Sequence, residues 1–154
     1  MPTTKLNKFT IHYQNFEEYH LLKQEVFGED MYYFEIDEDA GVRANIIDIG
    51  AHIGLSTLYF KYLFPLAQIT AIEPHPANFK ILEDNIWQNE LDDVTAIQAA
   101  VIPGKEKTIT LHADTEHSWF STASLQERAW NLEQQTQPLQ VPALQLSTLL
   151  QQHD

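Results

Sequence analysis

The stretch that decides the fold is Asn45-Ile46-Ile47-Asp48-Ile49-Gly50-Ala51-His52-Ile53-Gly54. Its first half is a short apolar run that ends at a glycine, which is typical of a buried strand in a parallel sheet. After the second glycine, apolar residues recur at helical spacing from Leu55 to Leu63, and Pro65 suits the end of a helix. The stretch therefore predicts a strand, a glycine-containing turn and a helix.

The same alternation of strand and helix continues along the chain. Residues 69–72 form a second apolar run, and Pro76 suits the first position of a helix whose apolar residues again have helical spacing. A third strand is predicted over residues 94–101, just before a Pro-Gly pair. The order βαβαβ predicts an α/β protein with a Rossmann-like, doubly wound sheet, of which this is the first half.

The length of 154 residues suits one domain. We divide it into an N-terminal extension (1–44), a cofactor-binding βαβαβ core (45–104) and a further extension of the same domain (105–154). The boundaries follow the change in pattern, because strict strand and helix alternation begins at Asn45 and ends at Gly104.

Shorter patterns predict the elements of the two extensions. Residues 16–27 are amphipathic at helical spacing, and residues 31–36 have the aromatic content of a strand. Residues 108–111 alternate like a strand and are expected to pair with residues 139–141 as a hairpin. A helix is expected from Leu144 onwards.

Composition narrows the classes of function. The formal net charge is −13 and the nine basic residues form no stripe, which argues against nucleic acid as a partner. The absence of cysteine excludes disulfides and cysteine nucleophiles. The sequence has no secretory h-region and no apolar run of the roughly 18 residues that a membrane span needs. We therefore expect a cytoplasmic protein that does not act at a membrane.

Two carboxylates fall at the ends of neighbouring predicted strands. Asp48 precedes Gly50 by two residues, and Glu73 closes the second strand. Ligands of this fold bind where strands end and helices begin. Gly50 lets the backbone approach a ligand, because it has no Cβ. Gly54 is expected to let the helix pack closely against the strand. Glu73 can accept hydrogen bonds from two ribose hydroxyls. The pattern favours a nucleoside cofactor at this edge.

Two classes of nucleoside cofactor use this geometry. The dinucleotide fingerprint G-x-G-x-x-G is met only at Gly50, because His52 and Leu55 stand at its other glycine positions. Asp48 suits a cation better than a diphosphate, and S-adenosylmethionine carries both an ammonium and a sulfonium group. The residues therefore favour S-adenosylmethionine over NAD.

Four motifs together resemble the FkbM-type methyltransferases, which are class I S-adenosylmethionine enzymes. The motifs are Asp48-Ile49-Gly50-Ala51-His52-Ile53-Gly54, Glu73-Pro74-His75-Pro76-Ala77-Asn78-Phe79, Leu82-x-x-Asn85 and Ala100-Val101. The resemblance covers roughly residues 25–150 and implies O-methyl transfer to a small-molecule acceptor, a sugar or natural-product hydroxyl.

The resemblance also implies roles for individual residues. The residues that would line the methionine end of the cofactor are Asp48, Gly50, Ala51, His52 and Gly54. Glu73 would hold the ribose, with Pro74 and His75 beside it. The adenine would lie near Ala100. His52 and His75 are the histidines that could act as a general base, although lining the pocket or capping a helix is the commoner use of such residues. No metal site is expected.

The resemblance also raises a question about the end of the sequence. Members of the family continue past a segment like residues 141–150 into a fourth strand and the acceptor-side half, whereas this sequence stops at Asp154. The first strand would then have an unpaired edge. Another copy of the chain or a local segment could cover this edge, or the chain is a marginal fragment; of these we predict association through the edge, as a homo-oligomer. The alternative to an enzyme is a truncated, non-catalytic module that binds the cofactor or a partner chain.

Overall fold

The computed structural model describes residues 1–29, 31–34, 44–114 and 136–151. A π-helical turn, Gln24–Gly28, directly continues the first helix. In chain order the other elements are β1 Thr3–Leu6, β2 Phe9–His12, α1 Phe16–Lys23, β3 Asn45–Ile49, α2 Leu55–Leu63, β4 Gln68–Ile72, α3 Pro76–Gln88, β5 Val94–Ile97, β6 Ala100–Ile102, β7 Thr108–Asp114, β8 Thr136–Gln145 and α4 Leu146–Gln151.

The core is a parallel sheet of order β3-β4-β5, in which α2 and α3 form the crossover connections. Ile46 lies opposite Ile69 and Ile49 opposite Ile72, so β3 and β4 end at the same edge. The predicted α/β fold class is confirmed. Within the described ranges β3 is an outer strand of this sheet, and association through its free edge stays a prediction.

Side chains alternate between the two faces of the core sheet, as the pleat of a strand requires. Ile46 and Ile69 belong to the cluster that also contains the apolar residues of α2 and α3. Ile47 and Ile72 face the other way and pack with Leu149 of α4. Helices therefore contact both faces of the sheet, which is the arrangement of a doubly wound fold.

The third strand is shorter than predicted. The sequence predicts a strand over residues 94–101, but β5 ends at Ile97, and Ala100–Ile102 form a separate strand, β6. β6 pairs in parallel with β8, with Ala100 opposite Ala143, and not with β4. Gln98 interrupts the apolar run between the two strands, and the backbone hydrogen bonds of the second part are satisfied by a different partner.

β8 also pairs antiparallel with β7, with Leu111 opposite Leu139, so the second sheet has the order β6-β8-β7. This confirms the pairing expected between residues 108–111 and 139–141. The helix expected from Leu144 begins two residues later, at Leu146.

The N-terminal extension begins with a hairpin that the sequence patterns do not predict. β1 and β2 are antiparallel, and Asn7 in the turn between them has a φ of 52°. The helix predicted over residues 16–27 is present as α1 and the π-helical turn. The short polar alternation of β1 is too brief to distinguish from a loop, which explains why the hairpin is missed.

The sequence predicts a strand over residues 31–36, but residues 31–34 form a turn and irregular backbone. Residues 35 and 36 lie outside the described ranges. Tyr32 and Phe34 instead place their rings 6.2 and 6.0 Å from the ring of Phe60 in α2. The aromatic content of this segment therefore serves packing against a helix. No helix in the described ranges is long and apolar enough to cross a membrane.

Candidate functional site

The carboxyl ends of β3 and β4 meet at one edge of the core sheet. Beyond β3, the backbone N–H groups of Gly50 and Ala51 both donate to the carbonyl oxygen of Ile72, at 2.8 and 3.0 Å. Beyond β4, the N–H of Glu73 donates to the carbonyl of Ile97 at 3.1 Å. Asp48 and Glu73 therefore lie at the same edge, as parallel pairing of the two strands requires.

The two glycines of the turn have different surroundings. Both have left-handed backbone, with φ of 79° at Gly50 and 91° at Gly54. A Cβ at Gly50 would meet no atom within 4 Å, so this backbone faces open space. A Cβ at Gly54 would lie 2.7 Å from Cδ1 of Leu82. Gly54 thus permits close packing of the start of α2 against α3, and not against the strand as expected from the sequence.

Asp48 connects the end of β3 to the first turn of α2. Its Oδ2 accepts hydrogen bonds from Ser56 Oγ at 2.8 Å and Thr57 Oγ1 at 2.6 Å. The carboxylate is buried, and burial raises its pKa, although the two hydroxyls act in the opposite direction. Asp48 therefore fixes the strand relative to the helix and also places a negative charge beneath the turn.

Glu73 connects the turn after β3 to the turn after β4. Its Oε2 accepts the backbone N–H of His52 at 3.0 Å, and its Oε1 accepts the backbone N–H of His75 at 2.9 Å. Burial raises the pKa of Glu73, and these hydrogen bonds oppose the rise. The carboxylate also receives a side-chain hydrogen bond from Asn78, so three of its roughly four lone-pair sites are used and about one remains for a ligand hydroxyl.

The two candidate histidines lie on either side of Glu73. His52 has a φ of 52°, and its Nε2 lies 3.1 Å from Oε1 of Glu18 in α1. The Nδ1 of His75 is buried without a hydrogen-bond partner among the described residues. Burial lowers the pKa of His75, with a smaller contribution from the charge of His52. A lowered pKa keeps His75 neutral at pH 7, which is the form that can accept a proton.

A cavity of about 190 Å³ opens beside the glycine turn. It brings together Gly50, Pro74 and Ala100 from the set predicted by the sequence, and its other side is formed by apolar residues of β7, Ile109 and Leu111. The remaining predicted residues do not line this cavity. These residues are buried around the turn instead: Asp48, Ala51, His52, Gly54, Glu73 and His75.

Several residues at this edge were not predicted from the sequence. Ser56 and Thr57 lie two and three residues after Gly54, so hydroxyls in the first turn of a helix were the available signal. Glu18 carries no such signal, because 34 positions separate it from its partner His52. In the described ranges, no group of three or more His, Cys, Asp or Glu side chains is placed to hold a metal ion.

Comparison with known proteins identifies the family. Residues 48–154 match the model of the methyltransferase FkbM domain, which is more than half of the chain. Methyltransferase 1 of Beauveria bassiana (strain ARSEF 2860) is 29% identical over 119 residues, which cover 68% of this chain and 47% of that protein. Methyltransferase sdnD of Sordaria araneosa is 42% identical over 57 residues, which cover 36% of this chain and 22% of that protein. The chain thus spans about half and about a fifth of the lengths of these two relatives.

Similar solved structures include the precorrin-6y C5,15-methyltransferase of Geobacter metallireducens GS-15, with 21% identity and a TM-score of 0.44 over 60% of this chain and 44% of that one. Another is M. jannaschii TYW2 in complex with AdoMet, with 14% identity and a TM-score of 0.44 over 74% of this chain and 64% of that one. These structural likenesses are partial, and the family is shown by the sequence match, which confirms the resemblance noted above. The chain belongs to the FkbM methyltransferase domain family.

Proposed function

We propose that this protein binds S-adenosylmethionine at the carboxyl edge of β3 and β4 and takes part in methyl transfer. The observation that carries the proposal is the meeting of two buried carboxylates, Asp48 and Glu73, beside the open backbone of Gly50. A negative edge suits a cofactor with an ammonium and a sulfonium group. It suits a dinucleotide less, because a diphosphate would be repelled by Asp48.

The residues present fit this cofactor. Glu73 accepts two backbone N–H groups and a side-chain hydrogen bond from Asn78, and its remaining lone pair suits one ribose hydroxyl. The apolar cavity between Pro74, Ala100 and β7 suits a flat base such as adenine. The open backbone at Gly50 lets the methionine end approach without contact with a side chain.

We extend the proposal to O-methylation of a small molecule, a sugar or natural-product hydroxyl. When bound, the cofactor supplies an electrophilic methyl group on a sulfonium. The chain's own contribution is to hold the acceptor oxygen in line with that group, and the hydroxyl proton then has to be removed. His75 is our candidate for this base, because it lies beside Glu73 at this edge and its Nδ1 has no hydrogen-bond partner among the described residues. His52 is the second candidate.

Calorimetric titration tests the cofactor part of the proposal. S-adenosylmethionine and S-adenosylhomocysteine should bind saturably at one site, and NAD should not. Glu73→Gln should weaken binding at least tenfold, the equivalent of about 1.4 kcal/mol, while Glu83→Gln on the exposed face of α3 should leave it unchanged. Failure of both adenosyl ligands to bind would refute the proposal.

A transfer assay tests the acceptor part. Protein incubated with methyl-labelled S-adenosylmethionine and a panel of hydroxylated sugars and natural products should label at least one acceptor. Binding of the cofactor without transfer to any member of the panel would favour the non-catalytic module over the enzyme.

A further inference from the structure

The first 29 residues precede the segment that matches the family model, residues 48–154, but they contact the turn that follows β3. Oε1 of Glu18 in α1 lies 3.1 Å from Nε2 of His52. Glu18 and His52 are 7% and 9% exposed, so the contact is shielded from water. A contact between ionisable groups is stronger in such surroundings than at the surface.

Asn85 holds the N-terminal hairpin to the same turn. Its Oδ1 accepts the N–H of His12 at 2.6 Å, and its Nδ2 donates to the carbonyls of His12 at 3.1 Å and Ile53 at 2.7 Å. The side chain is fully buried, and both of its N–H groups are used. One amide of α3 thus joins β2 to the residue that follows His52.

Asn89, the C-cap residue of α3, repeats the contact one helical turn after Asn85. Its Oδ1 accepts the N–H of Thr10 at 2.8 Å, and its Nδ2 donates to the carbonyl of Thr10 at 2.8 Å. Residues four apart on a helix share a face, and residues two apart on a strand point the same way, so the two asparagines match Thr10 and His12. The pair takes the place of a neighbouring strand along the outer edge of β2.

The hairpin and helix cap together fix the position of Glu18. Only residues 13–15 separate β2 from α1, and Oδ1 of Asn15 caps the helix by accepting the N–H of Glu18 at 3.0 Å. With both the backbone and the surroundings of Glu18 fixed, its carboxylate presents a defined partner to His52.

His52 needs such a partner because of its backbone. It has a φ of 52°, a left-handed conformation that is disfavoured for a residue with a Cβ. From this conformation its N–H donates to Oε2 of Glu73 at 3.0 Å. A change in the position of the His52 side chain would therefore move the hydrogen bond that orients Glu73.

We infer that Glu18 is a positioning residue of the cofactor site. It contacts the imidazole of His52, and the backbone N–H of His52 in turn holds the carboxylate of Glu73, so the segment before the family-matching region contributes to ligand affinity through His52. The inference rests on the proposed function, because it assigns to Glu18 a part in adenosyl binding.

The test compares Glu18→Gln with Glu17→Gln, a change at the exposed neighbouring residue of the same helical turn. Calorimetry with S-adenosylhomocysteine should give a Kd about tenfold higher for Glu18→Gln, because an amide then replaces the carboxylate that contacts His52 Nε2. Glu17→Gln should bind like the unchanged protein. In the unliganded protein, the imidazole nitrogen resonances of His52 should shift in Glu18→Gln and not in Glu17→Gln, which a general loss of stability would not produce.

A double variant separates action through His52 from a direct effect. On a His52→Gln background, Glu18→Gln should cause no further loss of affinity. Additive losses, or an unchanged Kd in Glu18→Gln, would overturn the inference and leave the proposed function intact. Absence of adenosyl binding by the unchanged protein would instead overturn the proposed function, and this inference with it.

Discussion

Alanine at the two glycines of the β3–α2 turn should separate ligand binding from stability. Both residues have left-handed backbone, so each alanine costs about 1–2 kcal/mol in stability. At Gly54 the new methyl group would also overlap Cδ1 of Leu82, at 2.7 Å, and Leu82 is fully buried. Overpacking of a core adds about 1–3 kcal/mol. Gly54→Ala should therefore lose about 2–5 kcal/mol, and Gly50→Ala only about 1–2 kcal/mol.

Affinity should follow the opposite order. At Gly50 the methyl group would enter open space, where the proposed cofactor approaches the backbone. Gly50→Ala should weaken binding of S-adenosylhomocysteine by about tenfold or more, which corresponds to about 1.4 kcal/mol. Gly54→Ala changes a contact inside the core, so the folded variant should bind within about threefold of the unchanged protein, or about 0.7 kcal/mol.

Urea unfolding followed by circular dichroism measures the free energy of unfolding of each variant. Calorimetry without urea measures its affinity for S-adenosylhomocysteine. A Gly50→Ala variant with full affinity would refute the placement of the ligand at this turn. A Gly54→Ala variant as stable as Gly50→Ala would refute the packing argument.

Three further predictions concern the surroundings of the site. Adenosyl binding should weaken as the pH falls through the pKa of Glu73, which burial raises above 4.5. Calorimetry at several pH values should show this dependence and show it reduced in Glu73→Gln, in which Asp48, whose pKa burial also raises, still titrates. Because the pKa of Glu73 is higher in the folded state than in the unfolded state, the folded state binds this proton at a higher pH. Protonation of Glu73 alone therefore stabilises the fold as the pH falls, so the loss of binding is not caused by unfolding through this group. Lys61 donates hydrogen bonds to two backbone carbonyls and to Asp93, so Lys61→Met should lower the free energy of unfolding, measured in urea, by about 2–4 kcal/mol. Lys80→Met, which removes an exposed ion pair with Asp84, should change the free energy of unfolding little. Asn85→Ala should cost about 2–4 kcal/mol by the same measurement, because its buried partners lose their hydrogen bonds.

The parts of the site that the sequence predicts are local in the chain. Parallel strands ending at one edge bring Asp48 and Glu73 together, and this follows from the apolar runs that precede each residue. The open backbone of Gly50 likewise follows from a glycine at the end of a strand. Short-range patterns were therefore enough to predict the fold class and to place these residues at one edge.

The features that were missed depend on partners far along the chain. Glu18 reaches His52 across 34 positions, and nothing in either local sequence indicates the contact. The break between β5 and β6 has the same origin. Gln98 interrupts the apolar pattern between the two strands, but the partner of each strand is set by β4 and by β8, which lie elsewhere in the chain. Tertiary pairing of this kind overrides local strand preference.

The central claim is that an adenosyl cofactor binds at the carboxyl edge of β3 and β4. Mapping of backbone amide chemical shifts during titration with S-adenosylhomocysteine tests it most directly. We expect saturable shifts centred on Gly50, Glu73 and Ala100, with smaller shifts at Glu18. Shifts centred elsewhere, for example on the groove between the π-helical turn and Tyr62 of α2, would contradict it.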